Sequence, residues 1–143
     1  MIKINSVKGG RVSVAIIIDS QDRFLLQKKD SGYSLGPNKW SLVGGNIEKD
    51  ESEKDAIKRE SREEIGIEFR DSEVRPYKKI MFKGRLNRTD VEMEHNIFII
   101  NFKANLSDVR VGEGAGFCFF EKRELASLNL ILSSKQILEE FLK

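Results

Sequence analysis

Three glutamates, Glu60, Glu63 and Glu64, crowd the stretch "IKRESREEIGI" just before a glycine. On a helix turning about 100° per residue, they fall within an arc of roughly 100°. Like-charge pairs three and four positions apart each cost a few tenths of a kcal/mol, and the last helical turn already carries partial negative charge. Local stability would choose lysine here, so the acids forgo ~1 kcal/mol. Two chemistries fit such a cluster. One is a solvated acidic face, with Arg59 and Arg62 as neutralising neighbours. The other is a divalent-cation site, because hard cations take oxygen ligands and magnesium keeps several waters beside a few carboxylates and substrate phosphates. The helix alone leaves both open.

The elements that must position these acids follow from the pattern. "RVSVAIII" is rich in β-branched residues and predicts a buried strand. "DSQD" is a turn cluster and "RFLLQKK" the return strand of a hairpin. "DSGYSLGPNK" reads as a loop, and "WSLVGG" as a short strand ending at paired glycines. From Ser52 to Ile65 there is no Gly or Pro. Ser52 suits the N-cap, with Asp55 as a weak capping-box partner, and Gly66 suits a left-handed C-terminal residue. "YKKIMFKGRL" and "EHNIFIINFKA" predict two strands joined by the polar connector "NRTDVEM". "VRVGEGAG" reads as a glycine-rich loop, "FCFFEK" as a strand, and "SSKQILEEFL" as a closing helix. Strands mixed with helices argue for an α/β sheet covered by helices.

Read from Gly45, the chain runs "GNIEKDESEKDAIKRESREEIGI". It resembles the Nudix box, G-x5-E-x7-R-E-U-x-E-E-x-G-U with U a bulky aliphatic. Gly45, Glu51, Arg59, Glu60, Glu63, Glu64, Gly66 and Ile67 all fall on its fixed positions, and Ser61 at the first U is the departure. "KWSLVGG" stands where members often show W-x-x-P-G-G, with Val43 in place of proline. On this resemblance the whole chain, 1–143, is one Nudix hydrolase domain of the MutT-like kind.

The resemblance implies an α/β/α sandwich around a mixed sheet, with the box as loop–helix–loop. It implies that Glu60, Glu63 and Glu64 ligate Mg2+, with Mn2+ a possible substitute, and that the Gly44 carbonyl adds a ligand. Arg59 would hold a glutamate rotamer, as metal sites require of their surroundings. Glu51 would brace the loop at the helix start. Ser61 would either fit against a bulky neighbour or bond back to the Ile57 carbonyl. The implied reaction is hydrolysis of a nucleoside diphosphate linked to X, giving a nucleotide and X-phosphate, or pyrophosphate from a triphosphate. Candidates for the group that takes the proton from water are Glu60, Glu63 and Glu113. Lys28 and Lys29 lie where relatives place cations against substrate phosphate, although strand-end solubility charges explain them equally well.

Bulk properties set the frame. The 143 residues suit one domain, 39% hydrophobic and 34% charged, and a net charge of +2 gives no argument for nucleic acid or membrane as partner. The apolar run Val12–Ile18 is too short to span a bilayer, and no signal-peptide pattern follows it. The single cysteine, Cys118, allows no internal disulfide and in an apolar strand is expected to be buried and inert. A cytoplasmic location is expected. Trp40 is expected in the core or a pocket wall, and Phe117, Phe119 and Phe120 in the core ahead of base stacking. His95 has no ligand-spaced Cys or His, which argues against zinc. There is no P-loop or dinucleotide fingerprint.

The expected function is Mg2+-dependent pyrophosphohydrolysis of a small nucleotide, a nucleoside triphosphate or its oxidised form, by a monomer or homodimer. The rivals are a hydrolase of another diphosphate, such as a nucleotide sugar or dinucleoside polyphosphate, and a non-catalytic nucleotide sensor of the same fold. A structural domain with an acidic helix is opposed by the glycine-to-glutamate spacing.

Overall fold

A computed structural model describes residues 7–29, 38–86, 88–103 and 116–143. The first strand, β1 (Val7–Ile18), buries both faces along Ala15, Ile16 and Ile17, which is why it reads as unbroken apolar sequence. Its turn into β2 (Phe24–Lys28) is built by Asp19, whose Oδ1 accepts from the amides of Gln21 and Arg23 at 2.9 and 2.8 Å. Two short strands follow, β3 (Trp40–Ser41) and β4 (Val43–Asn46). Helix α1 (Glu53–Ile65) is followed by a 3-10 turn at Asp71–Glu73. Then come the long strands β5 (Val74–Leu86) and β6 (Thr89–Asn101), the outer strand β7 (Gly116–Phe120) and helix α2 (Leu132–Phe141).

The strands form one mixed sheet in the order β3-β2-β1-β6-β5, with β4 added to β1 and β7 to β2. β1 is parallel to β6 and antiparallel to β2 and β4. Where β1 and β2 part, each gains its own short partner: Gln27 and Lys28 pair with Ser41 and Trp40, while Val12 to Ala15 pair with Asn46 to Val43. Leu42 is the residue at which the chain leaves one strand and joins the other. This split puts an open edge of β4 beside α1.

Alternation along the strands makes two cores. Ala15, Ile17, Leu25, Val43, Phe98 and Ile100 pack beneath Ile57 and Ile65 of α1. On the opposite face, Ile16, Phe24, Leu26, Leu42 and Ile97 pack beneath Ile137 and Leu138 of α2. The architecture is therefore the α/β/α sandwich that the resemblance implies.

Most elements fall where the sequence puts them, and two expectations are corrected. The connector "NRTDVEM" is not a loop from end to end: Thr89 to Met93 belong to β6, and Leu86 faces Thr89 across a tight hairpin with Arg88 at φ 66°. Its polar residues are opposed by polar and basic residues of β5, as Glu92 is by Lys83, so the ribbon is held by cross-strand partners and lacks a buried face that would reveal its period. Cys118 is exposed, not buried. β7 is an outer strand; its Phe117 and Phe119 pack against the core under α1 and Phe120 against the core under α2, while Cys118, opposite Leu26, is left uncovered. Trp40 packs against the α2-side core edge-on to Phe120 at 4.9 Å. No helix among the described residues is long and apolar enough to cross a membrane.

Candidate active site

α1 starts and stops as its sequence dictates. Ser52 Oγ accepts from the Asp55 amide at 3.0 Å, and Gly66 adopts φ 72° with its amide on the Arg62 carbonyl. The stripe Ile57, Ser61 and Ile65 is fully buried against the sheet. Ser61 sits in that stripe with its Oγ buried and without a hydrogen-bond partner, so the bond back to the Ile57 carbonyl is not made.

This docking divides the three acids. Glu60 and Glu64 are 8% and 3% exposed, whereas the Glu63 side chain is 45% exposed. Both buried carboxylates meet β4. The Gly44 amide donates to Glu64 Oε2 at 3.2 Å. At Gly45 a Cβ would lie 2.4 Å from Glu60 Oε1, so only glycine lets the strand backbone come so close to that carboxylate. At Gly44 a Cβ would lie 2.3 Å from the Ser13 carbonyl oxygen, so that glycine is required by the packing of β4 on β1.

Arg59 gathers the rest. It donates through Nε to Glu51 Oε2 at 2.8 Å and through Nη2 to Glu51 Oε1 at 3.0 Å. Nη1 reaches Glu60 at 3.0 Å and Glu63 at 3.1 Å, and Nη2 also reaches the Asn46 carbonyl at 2.8 Å. Glu51 in turn accepts from the Glu48 amide at 3.0 Å, which folds the loop between β4 and α1. The hydrogen bonds to Glu51, then those to Glu60, hold the guanidinium above its usual pKa against the effect of burial. Glu51 is lowered, first by Arg59, with burial opposing and the Glu48 amide adding to the effect. Both groups therefore stay ionised near neutrality.

A second arginine fixes the other end of α1. Arg11 of β1 donates through Nε to Glu94 of β6 at 2.6 Å and through Nη2 to Glu53 in the first turn of α1. Asn96 Nδ2 also donates to Glu94, at 3.0 Å, and Ser13 Oγ donates to the Glu53 carbonyl at 2.7 Å. Arg11 first, then Asn96, lower the Glu94 pKa to about 2 against desolvation. No local pattern announced this hub, because Arg11 is 42 and 83 residues from its two partners.

The remaining candidates are placed as follows. Lys28 lies with its Nζ 6.0 Å from the centre of the Trp40 ring. Since Trp40 belongs to the α2-side core, Lys28 projects on the face away from α1. The Lys29 amide donates to the Lys39 carbonyl at 2.8 Å. Glu113 lies outside the described residues. His95 is buried edge-on to Phe82 at 4.6 Å, with Nδ1 3.2 Å from the Met93 carbonyl and its pKa lowered by desolvation. Among the described residues, no three His, Cys, Asp or Glu side chains converge as in a finished metal cage.

A mixed sheet between two helices, with buried carboxylates of one helix set on a diglycine strand and braced by an arginine, defines the class as an α/β/α domain with an acidic helix seated on the sheet. The NUDIX domain model matches residues 8–141, and the chain belongs to the Nudix family. Nucleoside triphosphatase NudI of Enterobacter sp. (strain 638) is 36% identical over 67 residues, which are 47% of this chain and 48% of that protein. NudI of Shigella flexneri is 33% identical over the same length. The match thus spans about half the length of these curated relatives. Among solved structures, the MutT protein from Methanosarcina mazei Go1 superposes with a TM-score of 0.73 at 20% identity, covering 97% of this chain and 96% of that one. The E. coli dihydroneopterin triphosphate pyrophosphohydrolase gives 0.73 at 17% identity over 96% and 97%. A bifunctional NMN adenylyltransferase/ADP ribose pyrophosphatase from Francisella tularensis, complexed with AMP and a Mn ion, gives 0.72 at 18% identity over 96% of this chain and 42% of that one. At these identities the superpositions establish the fold alone.

Proposed function

We infer that the chain is a divalent-cation-dependent pyrophosphohydrolase. Its substrate class is a nucleoside diphosphate linked to X, with a nucleoside triphosphate or oxidised triphosphate as the favoured member and a nucleotide and pyrophosphate as products. The observation that carries this reading is the burial of Glu60 and Glu64 against the glycines of β4, with Arg59 bonded to both Glu60 and Glu63. A buried carboxylate is expensive unless paired. Arg59 bonds Glu51, Glu60 and Glu63 together, and the Gly44 amide bonds Glu64, so four carboxylates are gathered at one end of α1.

That donor set suits a hard cation: every side-chain donor is a carboxylate oxygen, two are buried and one faces solvent. Magnesium asks for few protein ligands and retains waters, so an assembled three-carboxylate cage is not required of the protein alone. Glu60, Glu63 and Glu64 would hold the ion, with the Gly44 carbonyl as the backbone candidate. When bound, it would screen the diphosphate charge and lower the pKa of a coordinated water.

The chain's own residues supply the rest. Arg59 fixes the rotamers of Glu60 and Glu63 from one side. The Gly44 amide orients Glu64 from the other, and Gly45 leaves the space that Glu60 occupies. The proton of the attacking water goes to a carboxylate, for which Glu60, Glu63 and Glu113 are the candidates. A pyrophosphate P–O bond breaks as the new P–O bond to water forms. The triphosphate preference draws support from the NudI relatives, within the limits of a half-length match. Cleavage of another diphosphate is the second reading.

The test is a panel of nucleoside triphosphates, nucleotide sugars and dinucleoside polyphosphates incubated with Mg2+. Phosphate release is read with and without added inorganic pyrophosphatase. Phosphate that appears only with the added enzyme, from a triphosphate, is the expected result. Binding of nucleotides without turnover of any member would replace the enzyme with a sensor.

A further inference from the structure

One rung of the sheet carries chemistry that the reading above does not use. Gln27 of β2 stands opposite Ser41 of β3 on one side and Phe117 of β7 on the other. Register partners share a face, and their neighbours in alternation, Leu25, Val43 and Phe119, pack in or against the core beneath α1. The rung Phe117–Gln27–Ser41 therefore lies on the same side of the sheet as Glu60 and Glu64. Gln27 is 2% and Ser41 1% exposed, yet Gln27 Oε1 and Ser41 Oγ have no hydrogen-bond partner. Buried polar atoms in native proteins are almost always paired, and each exception calls for a physical reason. Nothing in the packing demands polar groups at this rung: the equivalent positions one step along are Leu25 and Val43.

Position supplies the reason. Three residues of extended chain, about 10 Å, separate Ser41 from Gly44, where Glu64 is seated. That span is comparable to the reach from a nucleotide's phosphate to the edge of its base. An amide oxygen accepts, and the neighbouring hydroxyl both donates and accepts. Together they complement a planar edge that offers an N–H next to an acceptor, which is the edge of a nucleobase. Phe117 brings an aromatic ring to the same rung. β3 is two residues long, and its outer side is bridged at Trp40 to Leu130.

We propose that the rung Phe117–Gln27–Ser41 is the base-recognition subsite, with Gln27 Oε1 and Ser41 Oγ binding the edge of the substrate's heterocycle. This assignment rests on the pyrophosphohydrolase reading for its phosphate end but is tested separately from it. The variants are Ser41→Ala, which deletes the hydroxyl, and the double variant Gln27→Met with Ser41→Ala, which also exchanges the amide for an apolar group of similar size. The measurements are calorimetric binding of the four nucleoside monophosphates, with ribose 5-phosphate as the base-free control, melting temperature, and kcat/KM on the four triphosphates with Mg2+.

The subsite predicts at least tenfold weaker binding of the preferred monophosphate and a flattened base preference in kcat/KM. Ribose 5-phosphate binding should be unchanged, and the melting temperature equal to or above wild type, because removing unpaired buried polar atoms does not harm folding. Monophosphate affinities and base preference within twofold of wild type would overturn the proposal, whatever the melting temperature. If the double variant fails to fold, Ser41→Ala, which removes one atom, decides by the same criteria. Base-dependent binding without turnover would leave the subsite standing and sink the enzyme reading. Turnover indifferent to both variants would do the reverse.

Discussion

Two arginines hold α1, one at each end of the same problem, and they differ in kind. Arg59 is in the helix, and its partners Asn46, Glu51, Glu60 and Glu63 all lie within 13 residues of it. Arg11 is in the first strand and joins the helix to β6 across 42 and 83 residues of chain. Arg59 touches the carboxylates that would do the chemistry. Arg11 touches none of them and instead fixes the first turn of the helix on the sheet. A site on a helix needs both: its side chains held relative to one another, and the helix held relative to the strand that completes the site. The first task leaves a local signature in sequence, and the second does not.

The comparison is broken most severely at Arg59. Arg59→Met should lower kcat by about 10- to 100-fold, the usual cost of losing a residue that orients metal ligands. The helix should stay folded by circular dichroism. Arg59→Lys should recover little, because a point charge cannot make the paired bonds to Glu51 while also reaching Glu60 and Glu63. If Arg59→Lys restores full turnover, the fork geometry is not what matters.

Arg11→Met should reverse the balance. Removing it leaves the half-buried Glu94 with Asn96 and only the more distant Lys79, at 3.9 Å, so melting temperature should fall by several degrees. Turnover at a temperature where the variant is folded should fall less than in Arg59→Met. Equal loss of turnover in both would erase the distinction between the two arginines.

Acid sharpens the same contrast. Glu94 titrates at about 2 in the folded chain, below its ordinary 4.5. A carboxylate with a depressed folded pKa contributes stability that is full above the unfolded value and is lost as pH falls toward the folded one. The Arg11–Glu94 contribution should thus disappear between about pH 4.5 and 2. Wild type and Glu94→Gln should differ in melting temperature near neutrality and converge at the acid end of that window. A constant difference across it would show that the pair is not the source.

The smallest effect belongs to the departure from the box. Ser61 is buried with its hydroxyl unpaired, so Ser61→Ala should leave stability equal or raise it by up to about 1 kcal/mol, with turnover unchanged. A denaturant melt checks it. A clear loss of stability would mean that the hydroxyl is paired in solution.

How far the sequence could be read follows the same division. Ser52, the uninterrupted run to Ile65 and Gly66 marked α1 because caps act within a few residues. Ala15 to Ile17 and Leu25 to Leu26 marked buried strands because their apolar runs are local. The box glutamates stand out only through the resemblance of their spacing to the Nudix box, because the helix by itself fits a solvated acidic face equally well. The pattern shortens the β5–β6 ribbon, because a strand held by charged cross-strand partners shows no apolar period. The pattern around Cys118 points inward, because an apolar strand says nothing about whether it lies at the sheet's edge. Lys28 drew attention through its charge, whereas alternation puts its neighbour Gln27 on the α1 side, a fact visible only once the register with Ser41 and Val43 is known. Arg11, Glu53 and Glu94 were invisible for want of any local relation among them.

The most direct test of the central claim is metal binding without turnover. Mn2+ is titrated into wild-type protein and into Glu60→Gln and Glu64→Gln, and free Mn2+ is read by electron paramagnetic resonance. The account predicts stoichiometric binding to wild type and at least tenfold weaker binding to each variant, with the folds intact. Equal Mn2+ affinity in all three proteins would contradict it.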